Sequence, residues 1–100
     1  MRKVINDVDL SDLHLKNLLD ISDVKVTSYF DCHINYLTNL VGSPHTIRGS
    51  FFCKNNPLES LKGIPKTVGG NFWISKELKE KFPEDYIRSL SNIKRGVYYL

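Results

Sequence analysis

The sequence predicts an α+β repeat fold: a short solenoid of stacked parallel strands closed by a C-terminal helix-and-strand cap. Three observations carry that reading. The 21-residue segment from Phe30 to Ser50 is followed at once by a second copy, Phe51 to Asn71, with nine identical positions. Around the start of each copy, apolar or small residues alternate with polar ones, which is the period of a strand. Beyond Ser75 the apolar spacing lengthens to about four residues, the period of a helix.

The units follow in order. Residues 8–29 form a degenerate first unit, in which Val8, Leu10, Leu15 and Leu18 fall where Phe30, Cys32, Leu37 and Leu40 fall in the next. Residues 30–50 and 51–71 are full repeats, 72–75 begin a fourth, and 76–100 form the cap. The inner set of each strand reads Val26, Ser28, Phe30, Cys32, then Ile47, Gly49, Phe51, Cys53, then Val68, Gly70, Phe72, Ile74. Leu37 and Leu40 follow the first of these strands, and Gly42 and Pro44 then stop regular structure. Each unit is therefore expected to be one short strand, a turn and an irregular return. No unit buries its own apolar side, so the units must stack, with strands ~4.8 Å apart.

Asn35 and Asn56 recur where the chain leaves a strand and backbone groups lose their ladder partners. A buried amide can satisfy such groups from both its donor and its acceptor ends. An ordinary surface turn would also explain them. The first unit carries Leu13 in this place, as suits an atypical terminal repeat.

In the cap, Leu78, Phe82, Tyr86 and Leu90 recur every four residues, with Ile87 beside them. Ser75 is read as capping a short turn, and Pro83 as the first residue of a helix. Glu84 and Asp85 suit the positive end of its dipole, and Arg88, Lys94 and Arg95 lie towards the other end. Gly96 is read as the helix breaker, with Val97 to Leu100 as a closing strand over an otherwise open sheet edge.

The string Phe51-x-Cys53-x-x-Asn56-x-Leu58-x-x-Leu61 resembles the leucine-rich-repeat signature, and Phe30 to Leu40 matches it equally well. The longer form Leu-x-Gly-x-Pro-x-x-Val-x-Gly-x-Phe-x-Cys is similar to a short leucine-rich-repeat-like family of bacteriophage and bacterial proteins. The segment Pro83 to Lys94 is similar to the C-terminal end of that family. The resemblance implies protein binding on the strand-lined face and, for a phage protein, a host protein as the partner, inhibited or modulated in the host cytoplasm.

Composition bounds the remaining possibilities. The chain has 100 residues, 14 Lys+Arg against 11 Asp+Glu, and 41% hydrophobic residues, which suits one ordinary globular domain rather than a disordered chain. No apolar run is long enough for a membrane helix, and the acidic turn after Met1-Arg2-Lys3 argues against a secretory leader. Two cysteines do not make a disulfide scaffold, so a reducing, cytoplasmic setting is expected. Cys32 and Cys53 share one column on neighbouring strands and are read as small core residues rather than a metal or redox pair. A disulfide between them is the other possibility. No cofactor, metal or enzyme motif is found. A monomer is expected.

The outward strand positions are the candidate site. Asp31, Phe52 and Trp73 form one column, Tyr29 lies diagonal to Phe52, and His33 and Lys54 lie in a further column with Ser75. Exposed aromatics on a sheet are typical interface anchors. Tyr29, Phe52 and Trp73 are read as anchors for a partner protein, and Asp31, His33 and Lys54 as setting its orientation. The competing reading has the cap fold over Trp73 and bury it. Nucleic-acid binding is the alternative function. Residues 51–100 carry 9 basic and 5 acidic residues, for a net +4, with Phe52 and Trp73 available for stacking.

Overall fold

Each unit of the chain bends once, so it supplies two short strands to two different sheets. The computed structural model describes residues 3–100. Met1 and Arg2, which open the segment read against a secretory leader, lie outside the described residues. The chain begins with β1 (Lys3–Ile5) and β2 (Val8–Asp9), then β3 (Val24–Val26) and β4 (Phe30–Asp31). Next come β5 (Thr46–Ile47) and β6 (Phe51–Phe52), then β7 (Thr67–Val68) and β8 (Phe72–Ile74). A 3-10 turn (Lys76–Leu78) and the helix α1 (Glu84–Leu90) precede β9 (Asn92–Ile93) and β10 (Val97–Tyr99). The first sheet has the order β1-β3-β5-β7-β9 and the second β2-β4-β6-β8-β10, every neighbouring pair being parallel.

Register follows the repeat. Phe30 pairs with Phe51 and Phe51 with Phe72, as Val26 pairs with Ile47 and Ile47 with Val68. The expectation of one continuous strand per unit is corrected, because the chain turns a corner at Ser28, Gly49 and Gly70. Hydrogen bonding continues through that corner, from the Gly49 N–H to the Ser28 carbonyl at 2.7 Å and from the Gly70 N–H to the Gly49 carbonyl at 2.9 Å. A Cβ on Gly49 would lie 2.3 Å from the Ser28 carbonyl oxygen, so the corner excludes a side chain there.

One apolar cluster joins both sheets. Val26, Ile47, Val68 and Ile93 enter from the first, and Phe30, Phe51 and Phe72 from the second. The three rings form a column with centroids 5.4 and 5.2 Å apart. The return segments close the cluster with Leu37, Leu40, Leu58 and Leu61. Cys32 and Cys53 are free and buried within it.

The two buried asparagines each serve two units. The Asn35 side chain donates to the Leu10 and Cys32 carbonyls at 2.9 and 3.0 Å and accepts from the Leu13 and Leu15 N–H groups at 3.1 and 2.9 Å. Asn56 donates to the Cys32 and Cys53 carbonyls at 3.0 and 3.1 Å and accepts from the Leu37 N–H at 3.1 Å. The surface-turn reading of these residues is thereby overturned: each amide ties its own strand end to the turn of the preceding unit.

The C-terminal segment differs from its reading in several places. Its helix is short, and the four-residue stripe packs only in its first half: Phe82 is buried and Leu78 lies against the core, whereas Tyr86 and Leu90 are exposed and Ile87 is the helix's buried side chain. Pro83 stands just before the helix rather than inside it, and Ser75 makes no side-chain cap bond. The helix ends before Ser91, whose hydroxyl donates to the Pro65 carbonyl at 2.6 Å, so Gly96 does not end it. Lys94 and Arg95 fall beyond the helix. Arg88 anchors this turn by donating to the Ile93 and Arg95 carbonyls. The chain then resumes the repeat: β9 pairs with β7 and β10 with β8, so the segment adds one row to each sheet. Among the described residues, no helix is long and apolar enough to cross a membrane.

Candidate functional site

Parallel in-register pairing turns one outward position per unit into a row across the second sheet. That row reads Asp9, Asp31, Phe52, Trp73, Tyr98. Its second half is an aromatic ladder. Phe52 stacks on Trp73 with centroids 6.1 Å apart and an interplanar angle of 13°, and Trp73 stacks on Tyr98 at 4.6 Å and 23°. Tyr29 meets the other side of Phe52 edge-on at 6.3 Å. Aromatic pairs in such offset or edge geometries contribute ~0.5–1.5 kcal/mol beyond the area they bury. The four rings thus support one another along the row.

The ladder lies at the surface. Phe52, Trp73 and Tyr29 are half-buried, and Tyr98 is 44% exposed. The cap does not seal Trp73; its last strand extends the aromatic row by one ring. Tyr98 is the residue that sequence reasoning missed. A signal for it exists: Ile93 and Val97 are four residues apart, as are Val68 and Phe72, so Tyr98 takes the place of Trp73. The inserted helix lengthens the offset from 21 residues to 25, Thr67 pairing with Asn92 where Thr46 pairs with Thr67, and this hides the repeat.

The first half of the row is acidic. Asp9 accepts the Ser11 N–H at 2.9 Å and its hydroxyl at 2.6 Å, and these bonds hold its carboxyl below the usual range. Asp31 faces His33 through Oδ1 and Nδ1 and accepts the His33 N–H at 3.0 Å, so two of the three expected orienting residues form one unit. Tyr29 bonds Asp7, and that carboxylate raises its phenol above the ordinary value. Lys54 is half-buried at the equivalent position one unit on from His33. Ser75 does not continue that outward column: it is fully buried, and its hydroxyl accepts the Asn55 N–H. The side chain turns inward because β8 gives way there to the 3-10 turn.

This face is chemically divided. It offers flat apolar area at one end and carboxylates at the other. Cys32 and Cys53 lie beneath it, and burial raises both thiols, so neither provides a thiolate at neutral pH. Among the described residues, no group of three or more His, Cys, Asp or Glu is placed to hold a metal ion. Comparison with protein-family models, curated proteins and solved structures finds no match.

Proposed function

We propose that this chain is a protein-binding module, built as a short leucine-rich-repeat-like solenoid, that docks a partner protein on the outer face of its second sheet. The observation that supports this best is the surface ladder Tyr29–Phe52–Trp73–Tyr98. Contiguous exposed aromatics are the composition of interface cores, and preorganised rings lose little entropy on docking. The partner matched to this face presents apolar side chains opposite Phe52, Trp73 and Tyr98. It also presents a Lys or Arg opposite Asp9 and Asp31. On the family resemblance, that partner is a host protein, and binding acts by covering its working surface.

Affinity capture from host lysate tests the proposal. The wild type is expected to retain a specific protein that Phe52→Ala/Trp73→Ala loses, with only shallow dependence on salt. Retention of the same protein by the double variant overturns this face as the interface. Capture of DNA or RNA with a steep loss between low and moderate salt overturns it in favour of nucleic-acid binding.

A further inference from the structure

We propose that the outer face of the first sheet holds a separate binding site for a compact, multiply charged oxyanion of the phosphate class. Two outward rows meet there. One reads Lys25, Thr46, Thr67, Asn92, by direct register. The other lies two residues further along each strand and reads Thr27, Arg48, Gly69, Lys94, aligned by the bonds from the Arg48, Gly69 and Lys94 N–H groups to the Val26, Ile47 and Val68 carbonyls. Between the rows lies an open cleft of about 380 Å³, lined by Lys25, Thr46, Arg48, Thr67, Gly69 and Lys94.

The lining is what an oxyanion needs. Three permanent cations and two hydroxyls face one space, and no carboxylate lines it. Among the described residues, none of Lys25, Arg48 and Lys94 has a carboxylate within salt-bridge distance. Gly69 makes the notch. A Cβ there would lie 2.1 Å from the Arg48 carbonyl oxygen, so the close backbone packing forbids a side chain, and only bare backbone lines the cleft between Arg48 and Lys94. At ~4.8 Å per strand, those two residues leave the sheet ~10 Å apart, close enough for two long side chains to converge on one anion. Arg48 can grip two oxygens at once, and Lys94 and Lys25 add point charge. An anion in the notch also relieves the mutual repulsion of the three cations.

The site suits a compact ligand rather than a nucleic-acid strand. No aromatic side chain lines the cleft, so there is no platform for a base, and its three cations fall short of a track along a backbone. Only the phosphoryl end is recognised, whether it belongs to a free phosphate or an ester.

The experiment is a titration of 15N-labelled protein with pyrophosphate, inorganic phosphate and glycerol phosphate, against sodium chloride at matched ionic strength. Saturable amide shifts centred on Thr46, Arg48, Thr67, Gly69 and Lys94 are expected with pyrophosphate. If glycerol phosphate saturates more tightly than inorganic phosphate, the source is an ester end; if inorganic phosphate or pyrophosphate saturates and glycerol phosphate does not, the ligand is a free phosphate. Arg48→Gln/Lys94→Gln is expected to weaken binding on the order of tenfold or more, the worth of one or two charged hydrogen bonds. Lys62→Gln/Lys76→Gln, which removes the same charge elsewhere, is expected to leave it unchanged. Equal weakening by both pairs, shifts spread over every lysine, or no saturation beyond chloride overturns the proposal. A single-stranded oligonucleotide that outcompetes pyrophosphate and shifts Phe52 and Trp73 also overturns it. The wild-type shift map is decisive even if a variant fails to fold.

Discussion

On the first sheet the outward rows read Val4, Lys25, Thr46, Thr67, Asn92 and Asn6, Thr27, Arg48, Gly69, Lys94; on the second the central row reads Asp9, Asp31, Phe52, Trp73, Tyr98. Both faces rest on one interior, in which valine or isoleucine lines one sheet and Phe30, Phe51 and Phe72 line the other between Val8 and Val97. The interior must repeat because each unit is packed by its neighbours' copies of itself. The outer rows are under no such demand, and they diverge into a cationic cleft on one side and an acidic-to-aromatic strip on the other. Strands of the same pleat, joined at one corner, thus present two unlike chemistries.

That contrast can be broken most severely from inside. Phe51 is fully buried between Phe30 and Phe72. Phe51→Ala should destabilise by ~3–5 kcal/mol in urea unfolding. It should weaken both faces together; loss on one face alone would mean that they do not share an interior. Asn56→Ala comes next. It leaves the Cys53 carbonyl and the Leu37 N–H without the amide that serves them. A loss of about 2–3 kcal/mol is expected, again by denaturant titration, from buried groups left unsatisfied.

The third change runs the other way. Asp12, Ile34 and Asn55 occupy equivalent places and all adopt positive φ, +53°, +57° and +59°. Ile34 is the misfit, because a β-branched side chain is strained in the left-handed region. Its side chain is 43% exposed, so little burial is lost on replacement. Ile34→Asn should stabilise by ~1 kcal/mol, read as a higher melting temperature, and leave both faces intact. The smallest effect belongs to the acidic end of the second face. The Asp9 carboxylate is favoured by its two bonds from Ser11, so its folded pKa is depressed. Its contribution to stability is present above the unfolded value near ~3.9 and is lost as pH falls through the lower folded value. Ser11→Ala removes one bond, and a carbon-detected pH titration should find the Asp9 midpoint moved up towards the usual range.

The interior was legible in the amino-acid sequence, because Phe, Cys, Asn, Leu, Gly and Pro recur at fixed spacing and parallel pairing places each copy beside its like. The corner at Ser28, Gly49 and Gly70 was not. Side chains keep alternating through it, so a period of two looks the same in one strand or in two. The last row was hidden by the helix inserted before Asn92. The aromatic pair Phe52 and Trp73 was visible as a column, whereas Tyr98 was not, since its register depends on that insertion. The cationic cleft could not be read at all: Arg48 and Lys94 lie 46 residues apart in sequence and line one cleft only because the stacking sets them either side of Gly69.

Acrylamide quenching of Trp73, the only tryptophan, in the free protein and in the captured complex tests the central claim most directly. Trp73 emission is expected to be readily quenched by acrylamide in the free protein and to become blue-shifted and shielded in the complex. A residue already shielded when free, or quenching unchanged by the partner, would contradict a docking surface on the second sheet.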